Sequence, residues 1–108
     1  AARYVSSKPT DPDLKGLVLL ASYSDLNISN VSLKVLSFIG TKDGVFSKDT
    51  WESTKNNLPS GTEFVQILGG NHSQFGSYGL QEGDNSTNLT PSEQLSYVTS
   101  KMISLFQL

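Results

Sequence analysis

The sequence predicts an α/β fold of about three parallel strands with flanking helices. Short apolar runs rich in β-branched and aromatic residues alternate with helical patterns, which is the signature of that class. The first run is apolar on both faces, as in a parallel sheet covered by helices. The chain also closes on a helix that has both a start signal and an apolar stripe. At 108 residues it suits one folding unit, with burial less complete than in a domain twice as long.

The elements follow in order. Ala1-Ala2-Arg3-Tyr4-Val5-Ser6-Ser7 is helical but has no Ser, Thr, Asp or Asn cap before it and no initiator Met. It reads as the tail of a helix, so residues upstream are expected. Lys8-Pro9 closes it, because the residue before a proline is pushed out of the helical region. Residues 10–13 form a polar loop, and residues 16–22, Gly-Leu-Val-Leu-Leu-Ala-Ser, form the first strand. A polar loop over residues 23–30 leads to the second strand, residues 33–40.

Residues 41–45 are a turn. Ser47 caps a helix over residues 48–57 with Trp51 on its buried side. Pro59-Ser60-Gly61 is a breaker, and residues 62–68 are the third strand, followed directly by Gly69-Gly70-Asn71-His72. The glycine-bearing segment 73–89 is long enough for a functional loop. Thr90-Pro91-Ser92-Glu93 has the form of a capping box with proline at the first helical position. Leu95, Val98, Met102 and Leu105 then recur on one face, with Phe106 alongside.

Composition narrows the function. The net charge of −2 leaves no basic footprint for nucleic acid and no polybasic membrane patch. With no cysteine, these residues offer no disulfide, thiolate metal site or cysteine nucleophile. No apolar run approaches the ~20 residues that span a bilayer.

The single histidine, His72, lies just past the third strand, and Asp43 lies just past the second. Open α/β sheets place their active sites beyond the carboxyl ends of their strands. If the two strands are neighbours, the carboxylate can accept the imidazole Nδ1–H, fix the tautomer and stabilise the imidazolium. An acid followed by a histidine, separated by a strand–helix–strand unit, is also the order of an α/β-hydrolase triad. Each residue alone has a plainer reading: a surface histidine, and an aspartate serving its own turn.

Three stretches carry a family resemblance. They are Gly16-Leu17-Val18-Leu19-Leu20-Ala21-Ser22-Tyr23, Val35-Leu36-Ser37-Phe38-Ile39-Gly40-Thr41-Lys42-Asp43-Gly44-Val45 and Gly69-Gly70-Asn71-His72-Ser73-Gln74-Phe75-Gly76-Ser77-Tyr78-Gly79. In this order they resemble the α/β-hydrolase group related to dienelactone hydrolase (carboxymethylenebutenolidase), and the last is the most distinctive. The resemblance covers nearly the whole chain, as the C-terminal portion (residues 1–108) of one α/β-hydrolase domain. It implies Asp43 as triad acid and His72 as triad base. In that group the nucleophile sits in a Gly-x-Ser-x-Gly elbow shortly before an Ala-Ala-Arg-Tyr-like helix, so the elbow is expected upstream of Ala1. No such motif occurs within residues 1–108.

The implied activity of the complete protein is hydrolysis of a small-molecule carboxylic ester or related acyl bond, without metal or organic cofactor. The alternative is a hydrolase-like module used for binding or assembly. Residues 1–108 alone are expected to be inactive, to need the upstream half of the domain as partner, and to self-associate through a raw sheet edge. Relatives of this type often begin with an apolar N-terminal segment and work outside the cytoplasm, so the resemblance favours an extracytoplasmic or membrane-anchored location, with a cytoplasmic one as the alternative.

Secondary candidates are Asp25, at a position some α/β-hydrolases use for the acid, and Phe75 and Tyr78, which either line the substrate pocket or pack the loop. Asn71 is expected to shape the His72 turn through left-handed backbone. Gly40 and Gly44 are expected to let the chain turn sharply around Asp43. Five Asn-x-Ser/Thr sequons, at Asn27, Asn30, Asn71, Asn85 and Asn88, are read as a matter of composition.

Overall fold

The computed structural model describes residues 1–77 and 79–107. Three parallel strands form one sheet in the order β1-β2-β3: β1 (Leu17–Leu20), β2 (Val35–Gly40) and β3 (Glu63–Ile67). Leu17 pairs with Val35, and Leu36 pairs with Glu63. Every residue of the central strand β2 is buried. Among the described residues the α-helices are α1 (Ala2–Ser7), α2 (Lys48–Ser53) and α3 (Pro91–Phe106).

Because side chains alternate across a strand, the strands feed two cores. On one face Leu17, Leu19 and Val35 join Ala2 and Val5 of α1, with Ile28 and Leu58. The α2 residue Trp51 is buried on this face too, and its indole N–H donates to the Ser37 hydroxyl at 2.8 Å. That bond satisfies the one polar atom of a large apolar side chain, and the ring meets Phe64 edge-on, with centroids 5.7 Å apart. On the other face Leu36, Phe38 and Ile67 pack against Val98, Met102, Leu105 and Phe106 of α3. The result is a sheet with helices on both sides.

The helix ends follow from local chemistry. α1 stops at Ser7, just before Lys8-Pro9. Ser47 caps α2 by accepting from the Thr50 amide, and Thr90 and Glu93 form the full capping box of α3 with Pro91 at its start.

Three expectations are corrected. The helix over residues 48–57 is broken: α2 ends at Ser53, and a 3-10 turn (Lys55–Asn57) follows. The Thr54 hydroxyl donates back to the Thr50 carbonyl at 2.7 Å, a local bond that competes with helix continuation. Strand β3 is shorter than residues 62–68, and Leu68 is exposed. Leu95 is 40% exposed, while Gln94 is completely buried in its place. The inward stripe of α3 thus runs through Gln94, Val98, Met102 and Leu105.

Candidate active site

Strands β2 and β3 are adjacent and parallel, so the segments after them leave the same edge of the sheet. Asp43 follows the end of β2 by three residues, and His72 follows the end of β3 by five. Their side chains meet at 2.9 Å, His72 Nδ1 to Asp43 Oδ2. A carboxylate can only accept, so Nδ1 is the donor, and in the neutral ring Nε2 then carries the lone pair. The Asp43 side chain is 1% exposed and that of His72 is 21% exposed. The acid is therefore enclosed, while the imidazole still reaches the surface.

A buried carboxylate needs a partner for each oxygen. Asp43 Oδ1 accepts from the amides of Val45 at 2.8 Å and Phe46 at 2.7 Å. This Asx-type turn, natural for Asp followed by Gly, fixes the carboxylate so that Oδ2 faces the imidazole. The plain turn role and the pairing with His72 therefore coexist in one side chain.

The two loops are held closely together. The Lys42 amide donates to the Gly70 carbonyl at 2.8 Å, the Thr41 amide to the Ile67 carbonyl at 3.1 Å, and the Gly69 amide to the Thr41 hydroxyl at 2.8 Å. A Cβ at Gly40 would overlap the Gly70 carbonyl, and one at Gly44 would overlap the Gly83 carbonyl. Neither glycine has positive φ. The chain does turn here, with the Asp43 amide donating to the Gly40 carbonyl at 3.1 Å, but these positions are glycine because a second backbone passes against them. Gly69, with φ of 79°, is the residue that supplies left-handed geometry before the histidine.

Asn71 shapes the His72 turn by hydrogen bonds and not by left-handed backbone, since its φ is not positive. Its side-chain oxygen accepts from the Gln74 amide at 3.0 Å, and its Nδ2 donates to the Asn85 carbonyl at 2.8 Å. Its backbone is gripped at both groups by the buried Gln94, which accepts from the Asn71 amide at 3.1 Å and donates to its carbonyl at 2.7 Å. α3 thereby fixes the residue beside the histidine. Sequence reasoning missed Gln94, although a polar residue on the apolar stripe of a helix is a readable anomaly.

Asp25 is separate from this cluster. It receives the Arg3 guanidinium at 2.6 Å on the surface, and that hydrogen bond holds its carboxyl below the usual carboxylate range. Phe75 is half-buried against the core that contains Leu36, Phe38, Ile67 and Val98. Tyr78 lies outside the described residues. A cavity of about 500 Å³ opens beneath the His72 loop, lined in part by Asn71, Ser73, Gln74, Thr87 and Leu95. Phe75 does not line it. Among the described residues, no group of three His, Cys, Asp or Glu side chains is placed to hold a metal ion.

A parallel sheet between helices, with an acid and a histidine joined beyond the carboxyl ends of adjacent strands, defines a chain of the α/β-hydrolase class. The sequence model of the alpha/beta hydrolase family matches residues 1–96, and the chain belongs to that family. Searches of curated proteins and of solved structures gave no match.

Proposed function

We propose that this chain supplies the acid and the base of a Ser-Asp-His triad that hydrolyses a carboxylic ester or related acyl bond. The observation that carries this reading is the 2.9 Å bond from His72 Nδ1 to a side-chain-buried Asp43, which in the neutral ring leaves the Nε2 lone pair free. That nitrogen would take the proton of a serine hydroxyl as it attacks the acyl carbon, and would then deliver it to the leaving oxygen. Asp43 would hold the ring in the required tautomer and balance the imidazolium charge between the two transfers. Hydrolysis of the acyl-enzyme would repeat the sequence, with water in place of the serine.

The reading includes the organisation of the protein. We place residues 1–108 as the C-terminal portion of one hydrolase domain of the dienelactone hydrolase-related group. The serine elbow and the oxyanion-binding amides would come from an upstream half. The absence of any Gly-x-Ser-x-Gly in residues 1–108 and the resemblance of its three motif stretches support this.

The test compares the gene product extended upstream with residues 1–108 alone, using p-nitrophenyl esters and a fluorophosphonate label. The extended protein is expected to hydrolyse the ester and to take up the label at a serine. His72→Ala is expected to lower kcat by about 10⁴-fold or more. Residues 1–108 alone should show no turnover above background. An extended protein that neither turns over ester nor takes up the label would point instead to a hydrolase-like binding module.

A further inference from the structure

The loop after His72 returns to the site through Asp84, a residue that the triad chemistry does not use. Its two carboxylate oxygens serve different loops. Oδ1 accepts from the amide of Gly44, the residue directly after Asp43, at 2.9 Å. Oδ2 accepts from the amide of Ser73, the residue directly after His72, at 2.8 Å, and from the Ser73 hydroxyl at 2.6 Å. Oδ1 also accepts from the Asn85 amide at 2.9 Å. One side chain thus ties the position following the acid to the position following the base.

We propose that Asp84 is a positioning residue that sets the Asp43–His72 distance by clamping the two loops that carry them. The proposal rests on the triad reading and deepens it, because it names what holds the acid and base in register.

The chemistry suits a carboxylate and no neutral substitute. Four donors converge on two oxygens, and charge-assisted bonds of this kind are about twice as strong as neutral ones. An asparagine would present an NH2 group to one of the two loops, replacing an acceptor by a donor that faces another donor. The supporting bonds are neutral: the Asn85 side chain donates to the Lys42 carbonyl at 3.0 Å, and the Gln81 amide donates to the Ser73 hydroxyl at 2.7 Å. Asn85 also links the residues directly before the acid and the base, since its carbonyl accepts from the Asn71 side chain at 2.8 Å, but it does so through bonds between neutral groups. The ionised state is strongly favoured. Partial desolvation would raise the Asp84 pKa, but bonds from Gly44, Ser73 and Asn85 outweigh it and bring it down to about 2.

Because His72 is the only histidine of the chain, its ring tautomer can be read without ambiguity from long-range ¹H–¹⁵N correlations of the imidazole. The measurement does not depend on turnover. Asp84→Asn, in the whole chain, is expected to lower the ratio of the Nδ1–H to the Nε2–H form about tenfold, the equivalent of one weakened hydrogen bond to a charged group. The far-ultraviolet circular dichroism should be retained. Ser73→Ala, which removes one donor to Asp84, is expected to give a smaller change in the same direction and decides the matter if Asp84→Asn does not fold. Asp43→Asn serves as the reference.

Loss of the Nδ1–H form in Asp43→Asn, with that form fully kept in a folded Asp84→Asn, would overturn the clamp and leave the triad reading standing. The same holds if Asp84→Asn does not fold and Ser73→Ala keeps that form fully. No effect of Asp43→Asn would overturn both.

Discussion

Asp43 and Asp84 show two uses of a carboxylate within one loop cluster. Asp43 gives one oxygen to its own turn and the other to His72. Asp84 accepts only from backbone amides and a hydroxyl. Its lowered pKa carries a stability consequence. The contribution is fully present above the unfolded value of ~3.9 and is lost as pH falls through the folded value of about 2. Solvent still reaches this loop and screens the interaction, so about 1 kcal/mol is expected to rest on it and not the full linkage value. Urea unfolding of wild type and Asp84→Asn should therefore differ at pH 6 and converge between pH 4 and pH 2. A difference that stays constant across that range would contradict this assignment.

At the scale of the elements, α3 does more than cover a sheet face. Gln94 is fully buried and uses both ends of its amide to hold Asn71, next to the histidine. Gln94→Leu keeps similar bulk but leaves the Asn71 amide and carbonyl without these partners. Destabilisation of about 2–4 kcal/mol is expected from two buried groups losing their hydrogen bonds, measurable by denaturant unfolding. A neutral outcome would show that water or a relaxed backbone replaces them.

The same helix shows where the sequence is legible and where it is not. The capping box of Thr90 and Glu93 and the inward positions Val98, Met102 and Leu105 follow from spacing alone, because caps and helical period are local properties. The substitution of Gln94 for Leu95 on the buried face does not follow from spacing. It depends on the Gly70-Asn71 backbone arriving from another strand. Likewise, Asp43 and His72 can be singled out because each follows a strand. That β2 and β3 are neighbours is instead a fact of sheet order. Gly40 and Gly44 were recognisable as special, but the reason, a second backbone passing against each, is visible only in three dimensions.

At the scale of the whole molecule, the two-sided packing of the sheet leaves β1 and β3 as its edges among the described residues. β1 lies beside β2 on one side, and its other side presents backbone groups suited to a further strand. Residues 1–108 expressed alone are expected to associate as concentration rises, detected by sedimentation velocity as a shift to larger species between about 10 and 200 μM. The upstream-extended protein should shift less over the same range. A strictly monomeric 1–108 polypeptide at the upper limit would argue that this edge is protected.

The sheet order, the hydrogen bonds between the two loops and the enclosed carboxylate all converge on one bond, that between Asp43 and the His72 ring. Its most direct measure is the tautomer of the single imidazole at a pH where it is neutral. The Nδ1–H form is predicted to dominate in the wild-type chain and to be lost in Asp43→Asn. A wild-type ring protonated mainly on Nε2 would contradict the account, because that nitrogen would then have no lone pair with which to accept a proton.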